Sequence, residues 1–172
     1  MSLIRVKNLS LRLKRFTYAL ILLTPLVIIS LLVLNGPFGL IQVSRDVQIY
    51  PDMLNWYRSA VVVMVSLLTP ATYVLGYWYI YKLFELYSKG IIFEKANIIL
   101  IRKAGLVLIA IDIVYMVQTV ISGPIFSLLG VTERHITIEL KFSMLVAGIF
   151  IVLISRIMQM GRELYEQDQL TI

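Results

Sequence analysis

The sequence predicts an all-α, polytopic membrane protein, a bundle of four transmembrane helices that forms one integral membrane domain over residues 1–172. Composition is the first observation behind this prediction, because 59% of the residues are hydrophobic, only 15% are charged and the mean hydropathy is +0.87. Soluble domains average about 45–50% apolar and about 25% charged residues. A soluble globule of this length cannot bury so much apolar surface. The composition therefore excludes a disordered chain, a secreted disulfide scaffold and an ordinary soluble enzyme.

Four apolar runs are the second observation, and they cover residues 16–34, 60–81, 104–121 and 142–160. A helix needs about 20 residues to cross about 30 Å of hydrocarbon, and inside lipid it satisfies its own backbone groups. The first run is longer than a signal-peptide core, and no small-residue cleavage site follows it. We therefore expect all four runs to be spans and the first to be an uncleaved anchor.

The distribution of lysine and arginine predicts the orientation. Twelve of these residues fall on one side of the predicted spans: Arg5, Lys7, Arg12, Lys14, Arg15, Lys82, Lys89, Lys95, Arg102, Lys103, Arg156 and Arg162. Arg45, Arg58, Arg134 and Lys141 fall on the other side. Because the basic side of a membrane protein is cytoplasmic, both termini, the loop 82–103 and the tail 161–172 are expected inside. This bias accounts for the basic pI without nucleic acid, and it favours anionic lipids at the cytoplasmic surface of the bilayer.

The loops between the spans carry two kinds of pattern. Residues 41–50 and 131–140 alternate between apolar and polar side chains, which predicts two short strands. We expect them to pair as a hairpin-like cap outside the membrane. On the inner side, Gly90 is expected in the left-handed conformation that ends a helix, and a new helix is expected to begin near Glu94.

The inner loop also carries a motif of spaced residues. It comprises Phe84, Tyr87, Gly90, Phe93, Asn97 and Arg102. Together with the Leu-Thr-Ile ending at 170–172, it resembles the bacterial domain-of-unknown-function 2975 family of small four-span membrane proteins. The resemblance implies a location in the bacterial cytoplasmic (inner) membrane, and it implies no activity, cofactor or catalytic residue. We treat these six residues as candidates for binding a partner.

Asp112 is the sharpest candidate for chemistry, because it lies eight residues into the third run, about 12 Å deep at 1.5 Å per residue. It shares one helical stripe with Gly105, Tyr115 and Thr119. An ionisable residue at this depth is costly and faces a partner or a cavity. Asp112 is therefore either a proton or cation site or a protonated or paired carboxyl group that fixes helix packing. Arg156 either extends to the inner interface or reaches toward Asp112.

Other polar features have a structural and a functional interpretation. Ser66, Thr69, Tyr73 and Gly76 form a seam that either packs helices together or lines a polar path. Pro25 and Pro70 lie within runs and are expected to bend them. A weak metal site built on His135 with Glu133 and Glu139 is the less favoured alternative to a solvated histidine, so we expect no metal.

Function is the least determined property of this sequence. It contains no cysteine, and no nucleophile–base pair or Gly-rich phosphate loop can be assembled from spacing. We therefore expect no enzyme and no cofactor. The preferred hypothesis is an accessory, sensory or protective subunit that acts through a protein partner or as a homo-oligomer. The alternative is an oligomeric channel or a proton- or ion-coupled transporter that uses Asp112.

Overall fold

The computed structural model describes residues 3–41, 47–92 and 94–170. Within these ranges the chain forms five α-helices, which are α1 (Leu3–Asn35), α2 (Trp56–Ser66), α3 (Leu68–Ser88), α4 (Lys95–Leu128) and α5 (Ser143–Leu170). Short 3₁₀ turns lie between α1 and α2, at Gly36–Leu40 and Pro51–Met53. The prediction of an all-α chain is confirmed.

Three of these helices, α1, α4 and α5, are long and apolar enough to cross a membrane. The predicted span 60–81 is divided between α2 and α3, which pass the same criterion only as a pair and are bent by 41° at their junction. The described chain therefore has three candidate spans, or four when the bent pair is taken as one.

The junction between α2 and α3 lies beside Pro70, as the sequence predicted for a bend. Proline has no N–H, so the carbonyl of Ser66 loses its normal helical donor. Gln118 of α4 fills the gap, because its Nε2 donates to the Ser66 carbonyl oxygen at 3.5 Å and its Oε1 accepts the N–H of Thr69 at 2.9 Å. Helix α1 continues without a break through Pro25, and a bend at this residue stays a prediction.

The helices pack in a row in the order α1, α3, α4, α5, each against the next. The helices at the two ends of the row are the most exposed. In the most apolar 18-residue stretch of each helix, 6% of the residues of α1 are buried, compared with 33% of those of α4. The described helices thus form an open row, and this arrangement does not confirm the four-transmembrane-helix bundle expected from sequence. The physical reason is that lipid is as apolar as a helix surface, so hydropathy does not specify which faces meet.

A close helix contact joins α4 to α5 at two glycines. A Cβ added to Gly148 would lie 2.6 Å from the carbonyl oxygen of Gly105. Small residues let two helix backbones approach in this way. This glycine contact fixes the position of α5 along the axis of α4. It therefore determines which residues of α4 face the beginning of α5.

Where the structure describes them, the two segments predicted as strands pair at one isolated bridge. Ile49 and Thr132 form an isolated antiparallel bridge, beside which the Tyr50 N–H donates to the Val131 carbonyl at 2.8 Å. No strand is assigned in the part of the chain that the structure describes, and residues 42–46 of the first segment lie outside it. Val131 packs beneath the bridge against Val62 and Phe126.

Candidate functional site

A cavity of about 560 Å³ opens between α1, the α2–α3 junction and the middle of α4. Its apolar wall comes mainly from α1, and its polar wall comes from the other helices and from Lys141, two residues before α5. The polar and aromatic lining residues are Thr24, Ser66, Thr69, Tyr73, Tyr77, Asp112, Tyr115, Gln118 and Lys141. Two residues of the predicted stripe, Asp112 and Tyr115, therefore meet three residues of the predicted seam at one site: Ser66, Thr69 and Tyr73.

Asp112 contributes a carboxyl group and is only 3% exposed. Its Oδ2 accepts the backbone N–H of Leu145 at 2.9 Å. Leu145 is the third residue of α5, where helix N–H groups have no partner within the helix and negative charge is favoured by the helix dipole. Asp112 therefore fastens α4 to the first turn of α5 while it also lines the cavity.

Tyr115, one turn along α4, fastens the segment that precedes α5. Its hydroxyl donates to Glu139 Oε2. The Nζ of Lys141 lies 3.8 Å from the centre of the Tyr115 ring and 3.7 Å from Glu139 Oε2. An ammonium group is thus held against an aromatic face at the wall of the cavity, which is a favourable cation–π arrangement.

Gln118 and Thr69 form the end of the polar wall that lies at the α2–α3 junction. The Thr69 hydroxyl donates to Gln118 Oε1 at 2.6 Å. Gln118 was not predicted from the sequence, because the candidates were chosen as charged residues and as polar residues at helical spacing. The signal that could have found it is an amide side chain within an apolar run, three residues after Tyr115. Lys141 was missed because it stands one position before the fourth run.

The other predicted members of the polar site lie elsewhere. Thr119 donates to the carbonyl of Met116 at 2.9 Å, within its own helix. Arg156 is exposed and lies eleven residues beyond Leu145, about 16 Å further along α5 at 1.5 Å per residue. Gly76 instead packs against Val107, where an added Cβ would be 3.4 Å from Cγ1.

We call residues 89–92 and 94, which lie between α3 and α4, together with Asn97 of α4, the connector. The prediction for Gly90 is confirmed, since its φ is +81° and the N–H of Ile91 donates to the Leu86 carbonyl at 3.1 Å, as in a Schellman cap. Asn97 is fully buried and its Nδ2 donates to the Ile91 carbonyl at 2.8 Å. These two residues of the motif therefore build the turn.

The remaining motif residues differ in accessibility. Phe84 and Tyr87 are half-buried, Arg102 is exposed, and Phe93 lies outside the described residues. Next to them, Glu85 contacts three lysine ammonium groups, those of Lys14, Lys82 and Lys89, at 3.2 to 3.7 Å. Partner binding by the motif stays a prediction, and the exposed Arg102 is the member best placed for it.

The metal site at His135, the less favoured alternative from the sequence, does not assemble among the described residues. Glu139 is turned toward Tyr115, and His135 Nδ1 lies 2.9 Å from the Glu133 carbonyl oxygen. Within the described ranges, no group of three or more histidine, cysteine, aspartate or glutamate residues is placed to hold a metal ion.

The apolar helices and the polar cavity between them define a helical membrane protein. The chain belongs to the family described as "Protein of unknown function (DUF2975)", whose model matches residues 44–172. This confirms the resemblance found from the inner-loop motif, over a range that begins after α1. Neither the curated proteins nor the solved structures contain a match to the chain.

Proposed function

We propose that this protein is a four-span, non-enzymatic sensory subunit of the bacterial cytoplasmic membrane that acts through partners on the cytoplasmic side. The three long apolar helices support four spans when the bent pair α2–α3 is counted as one. The excess of lysine and arginine at one end supports cytoplasmic termini. The bridge between Ile49 and Thr132 supports a small outer cap.

The single observation that carries the sensory role is the position of Asp112. Its side chain lines the cavity and is hydrogen-bonded to the first turn of α5 at Leu145. An occupant that contacts Asp112 therefore acts on the beginning of α5. A ligand shifts a conformational equilibrium only as far as it binds the two states with different affinity. Because Asp112 contacts both the cavity and α5, it supplies this difference in affinity.

The far end of α5 is the proposed output. Leu164 and Tyr165 are 62% and 65% exposed, and Arg162 pairs with Glu166 on the same helix at 2.7 Å. Exposed apolar side chains rimmed by charges are typical of protein contact surfaces. The basic residues of the same side favour contact with anionic lipids, which would hold the far end of α5 at the membrane surface.

The test is crosslinking and affinity capture of tagged protein from native membranes at matched abundance. We expect Leu164→Ser to remove a stoichiometric partner and Leu128→Ser, the same change at an 86% exposed position on the outer end of α4, to leave it. We also expect Asp112→Asn to change the amount captured, because the signal starts at the cavity. A partner that neither Leu164→Ser nor Asp112→Asn affects would contradict the proposal.

A second candidate function is an oligomeric channel or an ion-coupled transporter, favoured by the polar wall at the middle of apolar helices. Four spans are few for a transport path, so this function requires several copies. Proton and cation flux into liposomes distinguishes it from the sensory role. Flux that depends on Asp112, with only self-crosslinks in the capture experiment, would favour the channel over the sensor.

A further inference from the structure

We infer that the cavity binds an organic cation with an apolar body, of the quaternary ammonium or phosphonium type. This inference rests on the proposed sensory function and names the chemical class of its ligand. Three features of the cavity carry it: its size and apolar wall, the buried carboxyl group of Asp112, and its aromatic side chains.

The size and the apolar wall fit a small amphiphile. A volume of about 560 Å³ lies within the range of about 300–1,000 Å³ typical of small-molecule sites. Helix α1 contributes only Leu20, Leu23, Thr24, Val27 and Ile28 to the lining. The Thr24 hydroxyl donates to the carbonyl of Leu20 at 2.8 Å, so this wall offers an occupant an almost entirely apolar surface.

The charged groups at the polar wall are the carboxyl group of Asp112 and the ammonium group of Lys141, and the ammonium group already has an acidic partner. Glu139 is the acidic partner of Lys141, at 3.7 Å. Asp112 forms no ion pair with any residue that the structure describes, and its one hydrogen bond there is to a neutral backbone N–H. A buried carboxylate without a counter-ion is costly, and a ligand that brings a positive charge offsets this cost.

The aromatic side chains suit the same ligand. Tyr73, Tyr77 and Tyr115 line the cavity, and the first two rings lie with centres 6.4 Å apart. The faces of such rings attract cations, and quaternary ammonium ligands are recognised in this way. The Lys141 ammonium at 3.8 Å from the Tyr115 ring is a cation–π contact already present at this wall.

An anionic ligand fits less well. Lys141 is the one basic residue among the described residues that line the cavity, and it already contacts Glu139. An anion would have to displace Glu139 from this ammonium and would approach the carboxyl group of Asp112 at the same time. Like charges in a medium of low dielectric repel strongly, so the cavity selects against anions.

The experiment compares tetraphenylphosphonium with tetraphenylborate, two ions of the same shape and opposite charge. Binding is measured by titration of the full chain in nanodiscs of zwitterionic lipid, after subtraction of empty discs. We expect saturable binding of the phosphonium ion and none of the borate. Asp112→Asn should weaken phosphonium binding by about tenfold or more, the change that corresponds to one lost charge interaction of about 1.4 kcal/mol.

Two controls separate charge from folding. In the Asp112→Asn variant the new amide oxygen can still accept the N–H of Leu145, so the thermal unfolding midpoint should stay near that of the wild type. Asp52→Asn changes an exposed aspartate outside the cavity and should leave binding unchanged. Lys141→Gln removes a competing positive charge and should tighten phosphonium binding.

The outcomes separate the two proposals. Saturable borate binding without phosphonium binding would overturn the ligand class while the cavity kept its sensory role. Phosphonium binding that Asp112→Asn does not weaken would overturn the assignment to this cavity. Asp112-dependent binding without any effect on partner capture would support the cation site and refute the sensor. No saturable binding of either ion would overturn the ligand class, and partner capture by the Asp112→Asn variant would still decide the sensory role.

Discussion

The connector and the cavity both place polar side chains among apolar helices, but they use them differently. In the connector, Gly90 and Asn97 close a turn through bonds to residues close by in sequence. In the cavity, the polar groups come from widely separated parts of the chain, and a space of about 560 Å³ remains between them. The connector is a packed structural joint, whereas the cavity has room for an occupant.

This contrast shows how to weigh a sequence motif in a membrane protein. The densest pattern in the chain, around the connector, contains residues that build the fold. The candidate site was spread over single residues such as Asp112, whose neighbours in space are remote in sequence. If the distinction is correct, substitutions in the connector will cost stability, and cavity substitutions will mainly affect binding.

The greatest loss of stability is expected for Asn97→Ala in the connector. Asn97 is fully buried, and its loss leaves the Ile91 carbonyl without its donor. An unsatisfied buried polar group costs about 1–3 kcal/mol, so the free energy of unfolding in mixed detergent micelles should fall by that amount. Lys95→Ala, at an exposed position two residues earlier, is the control, and an equal loss in both variants would remove the special role of the connector.

A smaller effect is expected for Gly90→Ala. A non-glycine residue at a φ of +81° costs about 1–2 kcal/mol, and the added Cβ meets only the flexible end of Lys7. Gly161 lies inside α5 with nothing within 4 Å of an added Cβ. Gly161→Ala should therefore stabilise the helix by up to about 1 kcal/mol.

The same unfolding measurement compares these two glycine variants. Opposite signs for the two changes would strengthen the assignment of Gly90 to the turn. Destabilisation of similar size at both positions would show instead that the connector has no special need for glycine.

The least effect on stability is expected at the cavity, for Thr24→Leu. The larger side chain enters open space, so the free energy of unfolding should change by less than about 0.5 kcal/mol. Thr17 is a matched control on the same helix, since it makes the same bond to its own helix but is 4% exposed. Thr17→Leu overfills a packed position and should cost about 1–3 kcal/mol.

An equal loss of unfolding free energy in Thr24→Leu and Thr17→Leu would show that the cavity is tightly packed in solution. The contrast between the connector and the cavity would then disappear. The difference between the two threonine variants is the quantity to measure, because detergent effects on α1 cancel in it.

Local sequence patterns were enough to predict several parts of the molecule. Composition and apolar run length predicted the helices, because a chain in lipid must satisfy its backbone within each helix. The glycine at position 90 and the proline at position 70 predicted a helix end and a bend, since each acts on the backbone at its own position. The inner-loop motif predicted the family that residues 44–172 match.

Tertiary packing was needed to establish which helices lie side by side and which polar groups share a cavity. Asp112 meets Leu145, and Gln118 meets Thr69, across gaps of 33 and 49 residues. No periodicity encodes these contacts, because helices that are apolar on all sides are equally soluble in lipid whichever faces they present. The close contact between Gly105 and Gly148 fixes the position of α5 along α4. This position brings the first turn of α5 to the carboxyl group of Asp112 in the middle of α4.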